Sequence, residues 1–96
     1  MYTVIPGYPT ASDSRISSYT LFPGISTLIA DDFDSRLFLT IQNTNSRVFI
    51  KLGDNASLTD FSYILPKNGV LELKYAGIVT AVVESESSTL TVTEGF

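Results

Sequence analysis

Between Arg36 and Gly53 the chain reads RLFLTIQNTNSRVFIKLG, two runs with an aliphatic residue at every second position, separated by four polar residues. Period-two alternation is the pattern of a β-strand with one face turned to a core. It constrains this chain more than any other feature, because it recurs to the end of the sequence. Asn43–Ser46 are residues that tolerate turn geometry. A turn there pairs Gln42 with Arg47, Ile41 with Val48, Leu39 with Ile50 and Leu37 with Leu52. All three apolar pairs then share one face, whereas a slip by one residue would oppose apolar to polar throughout. The expectation is a β-hairpin.

The same alternation follows. FSYIL carries Phe61, Tyr63 and Leu65, the turn PKNG follows, and VLELKY sets Leu71, Leu73 and Tyr75 against Glu72 and Lys74. IVTAVVE is almost continuously apolar, as in a central strand covered on both faces. TLTVTE turns Leu90 and Val92 one way and three threonines the other, and ISTLIAD before the hairpin is short and β-branched. The loop GDNASLTD holds room for one short helical turn capped by Asn55 or Ser57. No stretch of ten or more residues has a helical period. The expected fold is all-β: a small antiparallel β-sandwich or barrel of about seven strands over residues 25–96.

Residues 1–24 differ. MYTVIPGYPTASDSRISSYTLFPG holds three of the four prolines and no sustained period, which reads as an extended N-terminal arm. Its many apolar and aromatic residues are unusual for a solvated tail. The arm is therefore expected to dock on its own domain, a neighbouring subunit or a larger lattice. Tyr2, Val4, Ile5, Tyr8, Tyr19 and Phe22 are its candidate contact residues.

Composition narrows the function. Neither histidine nor cysteine occurs among the 96 residues, which removes the commonest general base, the commonest metal ligand, thiolate chemistry and disulfides. No glycine-rich phosphate loop or nucleophile elbow is present. Asp31, Asp32 and Asp34 lack the spacing of a calcium loop and read as an acidic turn. A net charge of −4 with scattered basic residues gives no footprint for nucleic acid. No apolar run is long enough to span a bilayer, and no secretory leader is expected, so Asn55–Ser57 is read as a chance sequon. The expectation is a non-enzymatic protein without cofactors, binding neither membrane nor nucleic acid. Serine and threonine, 23 residues together, stand where charge is usually found. Such surfaces suit burial in an assembly, where Lys and Glu are depleted.

The other side of the expected hairpin carries Arg36, Phe38, Thr40 and Gln42, then Arg47, Phe49 and Lys51. In that register Phe38 and Phe49 are diagonal neighbours inside a polar rim, the anatomy of an interface. Phe38, Phe49, Arg36 and Arg47 are therefore candidate contact residues, covered by the arm, by a second sheet or by a neighbouring molecule. Tyr8, Tyr19, Tyr63 and Tyr75 are an alternative glycan platform, with packing the commoner use of such tyrosines.

Over residues 37–94 the chain resembles small β-rich virion proteins of tailed bacteriophages. The resemblance rests on Ile41-Gln42-Asn43 before a polar turn, then Val48, Ile50 and Leu52-Gly53, then Ala56, Phe61, Leu65 and Leu71-Glu72. Gly77, Val79, Ala81 and Val92-Thr93-Glu94 complete it. The resemblance implies a structural protein without catalytic residues, made in the host bacterial cytoplasm. It would sit on the capsid surface as a cement or decoration protein, or in the tail or neck. It also implies the major capsid protein or other virion proteins as partners, and a dimer or trimer as the expected oligomer.

Overall fold

The computed structural model describes residues 13–96. These form eight strands and no helix: β1 (Ser14–Leu21), β2 (Thr27–Ala30), β3 (Phe38–Asn43), β4 (Val48–Leu52), β5 (Tyr63–Leu65), β6 (Val70–Leu73), β7 (Val79–Val83) and β8 (Ser88–Gly95). Two four-stranded antiparallel sheets pack face to face. The front sheet has the order β1-β8-β3-β6, and the back sheet β2-β7-β4-β5. β4 pairs with β5, β3 with β6, β2 with β7 and β1 with β8. This is one long antiparallel hairpin folded at its β4–β5 tip. Rolling it up adds the pairs β3–β8 and β4–β7 and yields a jelly-roll sandwich.

β2 to β8 fall on the seven runs legible in the sequence; β1 is the eighth. It lies inside the segment expected to be an arm and pairs residue for residue with β8, from Ser14–Gly95 to Leu21–Ser88. Part of that segment thus docks on its own domain, and the domain begins before residue 25. The turn after β1 is Phe22-Pro23-Gly24-Ile25, closed by Ile25 N–H donating to Phe22 O. Pro23 presets its own φ, and Gly24 takes the φ of +73° that a type II turn demands there.

The expected hairpin over 36–53 does not form. β3 lies in the front sheet and β4 in the back sheet, so Thr44–Arg47 is an arch between sheets. The polar residues of the arch are bonded to the β7–β8 turn and the start of β8. Thr44 Oγ1 donates to Thr89 O, Asn45 Nδ2 to Ser87 O and Ser46 Oγ to Glu86 O. Leu39, Ile41, Val48 and Ile50 all join one core, but from opposing sheets. Leu37, expected in that core, is 37% exposed beyond the start of β3. Phe38 and Phe49 point to opposite outer faces of the sandwich and are not neighbours.

β7 is buried along its whole length, as its apolar run predicts. Val79, Ala81 and Val83 face the core. The outward Thr80 and Val82 are covered by the excursion between β4 and β5. That excursion holds no helical turn; Ser57 and Asp60 exchange backbone hydrogen bonds instead.

Candidate interaction surface

Two buried polar clusters set the ends of the sandwich. At one end Arg36 is 4% exposed. Its guanidinium donates to Glu94 Oε2 at 2.9 Å, to Asp31 O at 2.8 Å, to Gly77 O at 2.6 Å and, through Nε, to Tyr75 O at 3.0 Å. One side chain thereby ties the β2–β3 and β6–β7 connections to β8. A planar fork with five donors suits this job, and a buried charge demands it. Glu94 also accepts from Arg15, whose guanidinium lies over the rings of Phe33 and Phe96. At the other end Asn43 Nδ2 faces the carbonyls of Ser46, Leu65 and Pro66, and Asn43 Oδ1 accepts from Ser88 Oγ. Among the described residues no buried side-chain polar atom lacks a partner.

These clusters revise the candidate contact residues. Arg36 belongs to the interior and no partner can reach it. Tyr19 packs against the core from β1. Phe49 is 6% exposed. Phe61 meets it edge-on at 5.0 Å, and Ala56 and Val82 pack beside it. Its cover among the described residues is the β4–β5 excursion. Arg47 stays at the surface, over the Phe49 ring and paired with Glu84 at 2.8 Å. Phe22 is 54% exposed in the β1–β2 turn. Tyr2, Val4, Ile5 and Tyr8 lie outside the described residues. The tyrosine platform does not assemble among the described residues: Tyr19 and Tyr75 pack on the core, and Tyr63 stands on the edge strand β5.

The outer face of the front sheet is different from every other surface. The register places Ser14, Ile16, Ser18 and Thr20 of β1 beside Gly95, Thr93, Thr91 and Thr89 of β8. Phe38, Thr40 and Gln42 of β3 continue the same rows. None of these eleven residues has an ionisable side chain. Glu72 appears only on the marginal strand β6, opposite Thr40. The outer face of the back sheet, by contrast, carries the ion pairs Arg47–Glu84 and Lys51–Asp60. The remaining charges sit in the loops, inside, or, as Arg15 and Lys74, at the ends of β1 and β6.

The face is also rich in stiff β-branched residues. Thr is restricted at χ1 and loses little freedom when covered. Phe38 lies across Gly95, where a Cβ would overlap its ring, so its aromatic surface is laid along the sheet. Ile16 projects from this face at 68% exposure and Val70 at 55%. Nothing at this face resembles a reaction centre. Among the described residues no three acidic side chains converge on a possible metal position, and no helix is long and apolar enough to cross a membrane. A shallow cleft at the Arg36 end is lined by Asp13, Ser14, Arg15, Phe33, Ser35 and Phe96.

The chain matches no known protein family, no curated protein and no solved structure.

Proposed function

We propose that this protein is a non-enzymatic structural component of a virion, a cement or decoration protein that docks on the capsid surface through the outer face of its front sheet. The observation that carries the reading is the absence of ionisable groups from the β1, β8 and β3 rows of that face, while the net charge of the chain is −4. Depletion of charge marks the centre of protein interfaces. A Thr/Ser/Gln platform supplies hydrogen bonds to a partner without the desolvation cost of buried ions. The resemblance over residues 37–94 to phage virion proteins gives the partner its class: the major capsid protein or a neighbouring virion protein. Many copies on a lattice raise the effective concentration, so modest single contacts suffice.

The test adds the purified chain to preformed heads that lack it and follows their thermal opening. The wild type raises the opening temperature. Thr91→Lys, at the centre of the face beside Ser18 and Gln42, leaves the fold intact and abolishes the effect. Equal protection by Thr91→Lys would refute docking through this face. The arm is tested by deleting residues 1–12, because deleting 1–24 also removes β1. Binding to tails or necks rather than heads would move the protein along the particle. Loss of function on Tyr63→Ala with head binding intact would point to a glycan instead.

A further inference from the structure

We infer that β1 is a dimerisation edge: two copies of this chain pair β1 with β1, antiparallel, about a twofold axis at Ser17, and so join two front sheets into one. The inference stands on the strand edge alone and holds whether or not the front face docks on a shell.

Four strands border the two sheets. β2, β5 and β6 are four, three and four residues long, whereas β1 has eight. Short edges resist pairing; a long regular one invites it. The direction of its free groups follows from the ladder. Asp13 and Phe96 exchange both of their backbone hydrogen bonds. In an antiparallel pair such residues alternate with residues whose N–H and C=O point away. The register is unbroken from Ser14 to Leu21, so Arg15, Ser17, Tyr19 and Leu21 bond to β8. Ser14, Ile16, Ser18 and Thr20 therefore turn their N–H and C=O groups to an edge that no described strand pairs with. The edge has no proline, no lysine and no bulge, and its one charge, Arg15, is bound inward to Glu94. Ile16, its one aliphatic outward side chain, is 68% exposed.

The sequence of β1 is complementary to itself. With the axis at Ser17, Ser14 meets Thr20 of the second copy and Ile16 meets its Ser18. All four outward residues are then used, in four pairs that each exchange two hydrogen bonds. A shift by two residues in either direction leaves part of this set unpaired. The two Ile16 side chains become diagonal neighbours and cover each other. Arg15, the only charge on the strand, falls opposite Tyr19 of the second copy and not opposite its own counterpart. The residues preceding β1 are a poorer occupant, since Pro6 and Pro9 each lack the N–H that a continuous ladder needs.

Sedimentation of the full chain without any capsid tests this. The wild type is expected to dimerise, at twice the 10.5 kDa chain mass. I16K/S18K opposes lysine to lysine at both Ile16–Ser18 contacts and should weaken the dimer by about a hundredfold or more. I16K/S18E opposes lysine to glutamate in the same register and should restore it. Circular dichroism checks that all three keep the fold. If I16K/S18K fails to fold, Ser18→Pro replaces it, because it removes an N–H that β8 does not use. A wild type that stays monomeric or forms trimers overturns the inference. So does a dimer indifferent to the edge variants, or one that I16K/S18E fails to restore.

Discussion

Arg36 is the residue on which the end of the sandwich depends. It forms four hydrogen bonds to three separate segments and is sealed from water. Replacing a buried ion pair with apolar groups can be neutral, but removing one partner leaves the other charge stranded. Arg36→Ala should therefore cost about 3–5 kcal/mol in urea denaturation, a large part of the stability of a small domain. Arg36→Lys should recover little, since an ammonium cannot reproduce the fork. Near-wild-type stability of either would mean that Arg15 alone satisfies Glu94. Gly95 is the second sensitive position. A methyl group there collides with Phe38, so Gly95→Ala should lose about 1–3 kcal/mol, and Gly95→Ala with Phe38→Leu should regain part of it. The role of Arg36 has no local signature. It sits 58 residues from Glu94, next to a strand whose period marks it as outward. Only the rule that buried charges come in pairs bears on it, and that rule needs the fold first.

At the scale of elements, what could be read was the strands, and what could not was their partners. Alternation identifies which residues of a strand are alike, and Leu90 and Val92 face the core with Thr89, Thr91 and Thr93 outside as the pattern requires. It does not tell whether two apolar rows lie side by side in one sheet or face each other across two. Ile41 and Val48 satisfy either arrangement. The deciding contacts are the hydrogen bonds of Thr44, Asn45 and Ser46 to the 86–89 segment, which local sequence does not encode. β1 escaped notice for another reason. As an edge strand it has small polar residues on both faces, with Ser14 and Ser18 outward and Ser17 inward, so its period is weak. Cross-linking separates the two arrangements, and the absence of native cysteine keeps the test clean. Thr40→Cys with Glu72→Cys joins residues directly opposite each other on β3 and β6 and should oxidise readily. Thr40→Cys with Phe49→Cys, opposite each other in a hairpin, should not oxidise, because stacked sheets lie about 10 Å apart and these side chains point away from each other. The reverse outcome would restore the hairpin and dismantle the jelly roll.

For the whole molecule, topology converts a thin, charge-poor sequence into a body with two unlike sides. The back is closed by its own chain: the β4–β5 excursion covers Phe49 and Val82, and ion pairs rim it. On the front, the β1, β8 and β3 rows carry no charge and no described segment is packed over them. This asymmetry was half visible in advance. The shortage of charge and wealth of Ser and Thr are legible in the sequence, but which surface they form depends on β1, β8 and β3 lying side by side. Those strands are brought together from both ends and the middle of the described chain. A reconstruction of the particle that carries the protein tests the account most directly. Density for the domain is expected on the head, with Thr40, Thr91 and Thr93 against the shell and the Phe49–Phe61 side toward solvent. A domain whose front sheet faces solvent, or one placed away from any shell, would contradict it.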